Sequence, residues 1–326
     1  MIYKVLFSDY EYASVEIEEK IIRKFIPDVE FIHAQCKTEE EVIEVAKDVD
    51  AIINQYAPIS HKVIERLSNC KVIARYGVGF NTIDIDAAAE KNITVCNVTD
   101  YCLDEVSDHA MTLLLSLARK VPLFNQQVKG GEWDFKAGLP IFRLRDRVLG
   151  LLSFGNIARR VAEKSQAFGV KVIAYDPFIS EEVARAYNVE LVELDDLLHQ
   201  SDFISVHTPL TDETYHMIGE EQLKLMKEEA FIVNTSRGAL IDEKALIQTL
   251  HNNEIAGAGL DVLEVEPISA DNPLLKMDQV LINPHAAWHS VEAQEELKIK
   301  TAQNVADVLI GIEPKYVVLP RKNKNT

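Results

Sequence analysis

The chain is 326 residues long, 47% hydrophobic and 26% charged. That length exceeds one ordinary hydrophobic core, and the composition is that of a soluble globular protein rather than a disordered one. With 52 acidic and 34 basic residues the formal net charge is −18, which repels nucleic-acid phosphates and anionic membranes and excludes nucleic acid as the expected partner. The opening "MIYKVLFSDYEYAS" reads as a strand that gives way to charge, not as a secretory signal. From there short apolar runs alternate with helical patterns. "KVLFS", "VEFIHA", "AIINQY", "KVIARYG" and "ITVCNV" read as strands. "SVEIEEKIIRKFI", "TEEEVIEVAKDV", "SHKVIERLS" and "NTIDIDAAAEKN" read as the helices between them. Alternation at this spacing predicts a parallel sheet of right-handed crossover units, complete within about the first 100 residues.

"DYCLDEVSDHAMTLLLSLARK" reads as a long helix with acids first and Arg119–Lys120 last, the polarity that suits the helix dipole. Its apolar core "MTLLLSLA" is far shorter than the roughly 20 residues a membrane span requires. "GGEWDFKAGLPIFRLRD" is irregular and polar. A second series then begins with "RVLGLLSF", "VKVIAYD", "DFISVH", "AFIVNTS", "IAGAGLDV" and "QVLINPH", six strands that fit one doubly wound nucleotide-binding sheet. The last stretch, "SVEAQEELKIKTAQNVADVLIGI", is helical, with Val291, Leu297, Val305, Val308 and Leu309 as its apolar set, and is expected to cross back to the first domain. Cys36, Cys70, Cys96 and Cys102 form no C-x-x-C pair and read as free thiols of a cytoplasmic protein.

The stretch "LLSFGNIARR" follows a buried-strand run and opens a helix, where a dinucleotide-binding turn would carry glycine at 153, 155 and 158. The chain has Ser153, Gly155 and Ala158 there. Serine suits the tight turn if its φ stays negative, Gly155 keeps the position where backbone meets a pyrophosphate, and Ala158 adds one methyl to the helix–strand contact. Asp176, 21 residues beyond Gly155 at the end of "VKVIAYD", stands where an acid grips the adenosine ribose. Gly150 and Gly155 are spaced as in a kinase-type phosphate loop, but Asn156-Ile157 follows instead of Lys-Ser/Thr. A carboxylate about 4 Å from a 2′-phosphate would repel it by roughly 4 kcal/mol at an effective dielectric near 20, so the cofactor expected is NAD rather than NADP.

Three later segments each place a functional type of side chain just past an apolar strand: "NTSRGALID" with Arg237, "GLDVLEVEP" with Glu266, and "NPHAAWHS" with His285. A guanidinium, a carboxylate and an imidazole suit reduction of a 2-oxo acid, which requires a cation for the carboxylate, a proton donor and a group tuning that donor. His285 and His289 form H-x-x-x-H, but no glutamate follows the first histidine and Trp288 intervenes, so no metal is expected.

With "ARYGVGFNTIDIDAAA", "GEW" and "HTPLTDETYHMI", these segments resemble the D-isomer-specific 2-hydroxyacid dehydrogenase family over nearly the whole chain, most closely its phosphoglycerate-dehydrogenase-like and C-terminal-binding-protein-like branch. The resemblance implies a Rossmann cofactor domain (103–290) inserted into a flavodoxin-like substrate domain (1–102 with 291–326). It implies that Arg237 clamps the substrate carboxylate, that His285 is the acid–base and that Glu266 pairs with it. Val78, Gly155, Asn156, Ile157, Asp176, Thr208, Thr235, Ser236, Arg237, Asp261, His285, Ala287 and Trp288 would line the cofactor site. Tyr56, Arg75, Val78, Gly79, Arg237 and Trp288 would meet substrate. A homodimer, through the long helix and the "GGEWDF" region, is likewise implied. The alternative in the same branch is an NADH-sensing interaction protein with incidental turnover. Two positions depart from the family pattern: Ser153 replaces a usual glycine, and Asn81-Thr82 replaces a usual Asp-Asn.

Overall fold

The computed structural model describes residues 2–320. Two compact units emerge, one made of the chain through Cys102 together with the segment from Ser290 onward, the other of Leu103–His289.

In the first unit β1 (Tyr3–Phe7), β2 (Val29–His33), β3 (Ala51–Asn54), β4 (Val72–Arg75) and β5 (Thr94–Cys96) are separated by α1 (Glu16–Phe25), α2 (Glu39–Ala46), α3 (His61–Arg66) and α4 (Ile85–Glu90). The strands pair in parallel in the order β2-β1-β3-β4-β5, the flavodoxin-like winding. All four residues of β3 are buried, as the uninterrupted "AII" run requires of a strand covered on both faces. Helix starts are set locally: Thr38 and Glu41 form a reciprocal capping box at α2, and Asp84 caps α4.

The second unit opens with α5 (Leu103–Arg119) and α6 (Val121–Lys129). They are separate helices because Lys120 takes a left-handed φ of +54° and Pro122 enters the first turn of α6. The sheet follows: β6 (Val148–Leu152), α7 (Asn156–Gln166), β7 (Lys171–Tyr175), α8 (Glu181–Ala186), β8 (Glu190–Leu191), α9 (Leu194–Gln200), β9 (Phe203–Val206), α10 (Glu220–Lys224), β10 (Phe231–Asn234), α11 (Glu243–His251), β11 (Gly257–Leu260) and β12 (Val280–Ile282). Its seven strands are all parallel in the order β12-β11-β10-β9-β6-β7-β8, a Rossmann winding with one added strand. The sequence pattern predicts six. The seventh is β8, and two residues on the sheet edge are too few for a periodicity to show. The winding reverses between β6 and β9, so the loops after those strands flank the switch point where such sheets bind ligands.

After β12 the chain enters α12 (Val291–Leu309), which packs on α1 and β4 of the first unit. Leu297, Val305 and Leu309 are buried as the pattern predicts, but Val291 is 76% exposed. Ser290 caps the helix through the Ala293 amide, and Ala293 rather than Val291 occupies the buried face of the first turn. All four cysteines are free. Among the described residues no helix is long and apolar enough to cross a membrane.

Candidate active site

Arg237, Glu266 and His285 follow β10, β11 and β12, three adjacent parallel strands, and therefore share the carboxyl edge of the second sheet. Nδ1 of His285 lies 2.7 Å from Oε2 of Glu266, and Oε1 of Glu266 accepts the Leu263 N–H at 3.0 Å. Burial alone would raise the Glu266 carboxyl. The hydrogen bonds from His285 and Leu263, with the nearby charges of His285 and Arg237, hold it below the ordinary carboxylate value. Both side chains keep 37% of their surface accessible, so the pair is open to a small molecule.

Gly238 brings the third member close. A Cβ built on Gly238 would stand 1.9 Å from the Leu263 carbonyl carbon and 2.4 Å from the Glu264 nitrogen. Only glycine lets the Leu263–Glu264 backbone rest against the residue after Arg237. Asn234 shapes the same turn, its Nδ2 donating to the Arg237 carbonyl at 2.9 Å and its Oδ1 accepting the Ser236 N–H at 3.0 Å. Neither residue is a candidate in the sequence reading, although a glycine directly after the arginine of "NTSRGALID" is a visible sign of such an approach.

His285 itself has φ +52°, a left-handed conformation that disfavours non-glycine residues. Asp261 holds it there. The Asp261 carbonyl accepts the His285 N–H at 2.9 Å, and its carboxylate oxygens accept the Ala286 and Ala287 N–H groups, each at 2.9 Å. Asp261 is buried, and His109 of α5 places Nε2 3.5 Å from its Oδ1. The acid expected only to line a ligand cleft therefore shapes the His285 turn. Trp288, two residues beyond Ala286, stands edge-on to His289 with ring centroids 5.2 Å apart.

At the switch point Gly155 caps α7 with φ −75°, and a Cβ built there would meet nothing within 4 Å. Neither strain nor packing within the chain calls for glycine, so the open space fits a ligand that approaches the backbone. The first turn of α7, from Asn156 and Ile157, carries no acid and no side-chain cap, leaving its N–H groups and dipole available to an anion. Asp176 accepts the Phe154 N–H at 2.8 Å and the Phe178 N–H at 2.9 Å. Beside these, Thr208 and Thr235 have buried Oγ1 atoms without a hydrogen-bond partner, while Ser236 donates to the Thr208 carbonyl at 2.6 Å. Gly150 serves packing instead: a Cβ there would meet Ser201 Oγ at 2.3 Å and a Leu197 methyl at 2.5 Å. Its spacing to Gly155 has no phosphate-loop meaning.

The chain is similar to known proteins. Residues 111–287 match the family description "D-isomer specific 2-hydroxyacid dehydrogenase, NAD binding domain". The D-3-phosphoglycerate dehydrogenase of Methanocaldococcus jannaschii is 42% identical over 276 residues, 84% of this chain but 52% of that protein. The glyoxylate reductase of Korarchaeum cryptofilum is 41% identical over 277 residues, 83% of this chain and 82% of that one. The chain thus spans about half the length of the phosphoglycerate dehydrogenase and most of the reductase. The structure of D-lactate dehydrogenase from Aquifex aeolicus complexed with NAD and lactic acid superposes with a TM-score of 0.86 at 27% identity, covering 98% of this chain and all of that one.

The chain belongs to the D-isomer-specific 2-hydroxyacid dehydrogenase family. Its second unit is the family's NAD-binding domain, and the Gly155 space, the uncapped α7 amides and the two orphaned threonine hydroxyls fit a dinucleotide.

The residues proposed for substrate in the first unit stand at the carboxyl edge of its sheet. Gly77 has φ +116°, and a Cβ on it would lie 1.9 Å from an Arg75 guanidinium nitrogen, so glycine is what lets Arg75 fold across the turn. Asn97 Nδ2 donates to the Val78 carbonyl at 2.8 Å, leaving Val78 exposed and adjacent to Gly79. Tyr56 is 51% exposed, with its N–H bound by the buried Asp9 carboxylate. Asp9 also accepts from the Gln55 and Ala57 N–H groups, both at 3.1 Å, and so organises that loop without being flagged by the sequence.

Ser153 departs from expectation. Its φ is +72°, not negative, so the tight turn carries a left-handed serine where glycine would be unstrained. Ser153→Gly should raise unfolding stability by about 1 kcal/mol, the cost of a non-glycine residue in this region. Urea denaturation checks it; a lower midpoint would show that the serine side chain stabilises the turn by more than its strain costs.

Proposed function

We propose that the chain is an NAD-dependent dehydrogenase interconverting a 2-oxo acid and a D-2-hydroxy acid. The observation that carries the reading is the 2.7 Å Glu266–His285 contact on the same sheet edge as Arg237. The bound cofactor would supply the hydride as NADH in reduction and accept it as NAD⁺ in oxidation. Arg237 would hold the substrate carboxylate through its planar fork and polarise the neighbouring carbonyl. His285, with Nδ1 engaged by Glu266, has Nε2 left to pass a proton to the 2-oxo oxygen or take it from the 2-hydroxyl. Glu266 favours the charged imidazole before transfer. Val78 and Gly79 would offer backbone groups to the substrate carboxylate, and Tyr56, Arg75 and Trp288 would contact the rest of the molecule.

For the cofactor, the α7 amides from Asn156 and Ile157 would receive the pyrophosphate at Gly155, and Asp176 the adenosine ribose. Thr208 and Thr235 bring their unpaired hydroxyls, with Ser236 and Ala287 beside them. No step calls for a metal. As partner we infer a second copy of the chain. In the segment after α6, Trp133 is 88%, Phe135 70% and Leu139 58% exposed, an apolar surface that a homodimer would cover.

Arg237→Ala should lower kcat/KM for 2-oxo acid reduction by roughly 100-fold or more while NADH still binds, the loss expected when a charged hydrogen-bonding clamp is removed. A panel of glyoxylate, hydroxypyruvate, phosphohydroxypyruvate and branched 2-oxo acids, followed by NADH absorbance, provides the assay. Tight NADH binding with no turnover on any of them would instead favour an NADH-sensing role. The wild type should prefer NADH over NADPH by about a thousandfold in kcat/KM, and Asp176→Ala should shrink that ratio; equal use of both cofactors by the wild type rejects the role given to Asp176. Light scattering should report a dimer that Trp133→Asp weakens, and a monomeric wild type would reject the second copy.

A further inference from the structure

The turn that carries Glu266 is pinned from its far side by a histidine outside the proposed catalytic trio. Glu264 sits two residues before Glu266 in the turn closed by the Leu263 N–H to Glu266 Oε1. Its Oε1 receives two contacts, His216 Nε2 at 2.7 Å and the Glu243 N–H at 2.9 Å, and its own N–H donates to Glu243 Oε2 at 3.1 Å. The turn is therefore held by α11 on one side and by the loop after β9 on the other.

His216 is itself fixed. Its N–H donates to the Ala239 carbonyl at 2.8 Å, and two residues on Ile218 bridges to Ile241, so this loop runs beside the chain that leaves Arg237 and Gly238. Its ring stacks on Tyr215 with centroids 4.0 Å apart. Its backbone is left-handed at φ +50°, a conformation that costs of order 1 kcal/mol or more and persists where surrounding structure requires it. In that conformation the imidazole Nε2 meets Glu264 Oε1.

We propose that His216 is a positioning residue for Glu266: through its Nε2 contact with Glu264 it fixes the Leu263–Glu266 turn, and so the carboxylate that His285 meets. This rests on the functional reading above. The charged groups around His216 are Glu264 and, 3.8 Å from Nδ1, Asp242, with Glu243 bound to Glu264 in turn. Those around Glu266 are His285 and Arg237. Glu264 and Asp242 face different nitrogens of one ring, an arrangement that suits two contacts to the imidazole better than a single cation shared by all three. Asp242 is also occupied as the cap of α11, accepting from the Lys244 and Ala245 N–H groups.

The consequence is read at His285. A Glu266 held less firmly supports the charged imidazole less, so His285 should lose its proton at a lower pH. The His285 ring is titrated by NMR in the isotope-labelled full chain, for the wild type, His216→Phe, Glu264→Gln and Glu266→Gln. His216→Phe keeps the aromatic ring beside Tyr215; Glu264→Gln approaches the same contact from its other end if that variant fails to fold. The two should move the His285 midpoint down by about half a pH unit, in the same direction as Glu266→Gln and by less. Steady-state reduction requires the protonated His285, so its alkaline limb should move to lower pH likewise, with kcat falling more than NADH affinity. An unmoved His285 midpoint together with a lowered melting temperature would assign His216 a purely structural role and overturn the proposal. So would one-to-one Zn²⁺ binding in calorimetry that both variants abolish. The ring titration requires no turnover, so a wild type inactive on every 2-oxo acid would reject the functional reading while the midpoint still decides this one.

Discussion

The 2.7 Å contact between Glu266 and His285 joins side chains from loops that follow different strands, and the loop that carries Glu266 rests its Leu263–Glu264 backbone on Gly238, the residue after Arg237. Parallel pairing of β10, β11 and β12 delivers the three chain ends to one edge, but sheet spacing alone leaves neighbouring strands about 4.8 Å apart. The loop after β11 also folds over the residue after Arg237, with its Leu263–Glu264 backbone against Gly238. The missing Cβ at 238 is the steric allowance for that fold-over. Asn234, bonding both the Ser236 amide and the Arg237 carbonyl, fixes the turn through which the allowance is used.

Several residues at this edge stand in left-handed backbone without being glycine: Ser153, His216 and His285, with φ of +72°, +50° and +52°. Each costs folding free energy of order 1 kcal/mol or more, and each lies in a loop after a sheet strand. For His285 the compensation is visible as three hydrogen bonds to the buried Asp261. A carboxylate that caps two successive amides is an inexpensive way to hold one unfavourable residue, since the anion gains charge-assisted bonds that water would otherwise supply. Strain and its compensation are thus both local to the turn.

Most of the architecture was legible because buried parallel strands write continuous apolar runs and helices write a 3.6-residue period. The runs around β3, β6, β9 and β10 left no ambiguity, since each of those strands is almost wholly buried. β8 was illegible because two residues carry no period, and the outward face of Val291 because a helix start is decided by its cap rather than its pattern. The candidate trio was legible for a different reason: its three segments carry the family resemblance, and an arginine, a glutamate and a histidine suit 2-oxo acid reduction. Their supports were not. Gly238, Asn234, Asp9 and His216 act through backbone approach and loop hydrogen bonds that depend on which loops become neighbours, and a one-dimensional pattern holds no record of that. The sign of φ at Ser153 was unreadable for the same reason, since it belongs to the turn's path beyond β6, where the Ser153 N–H still donates to the Tyr175 carbonyl of the neighbouring strand.

The overall charge gives the site its last constraint. A net charge of −18 opposes the approach of a dinucleotide and a carboxylate alike, so long-range steering works against the proposed ligands. At physiological ionic strength that field is screened over about 8 Å, and what remains is short-range: the amides at the start of α7, the Arg237 guanidinium and the two threonine hydroxyls without partners. Such groups act only on a ligand already in contact and oriented. Recognition as proposed would therefore be carried by directional hydrogen bonding at the sheet edge, which is also the kind of interaction that depends most strictly on the loop positions held by Gly238, Asn234 and Asp261.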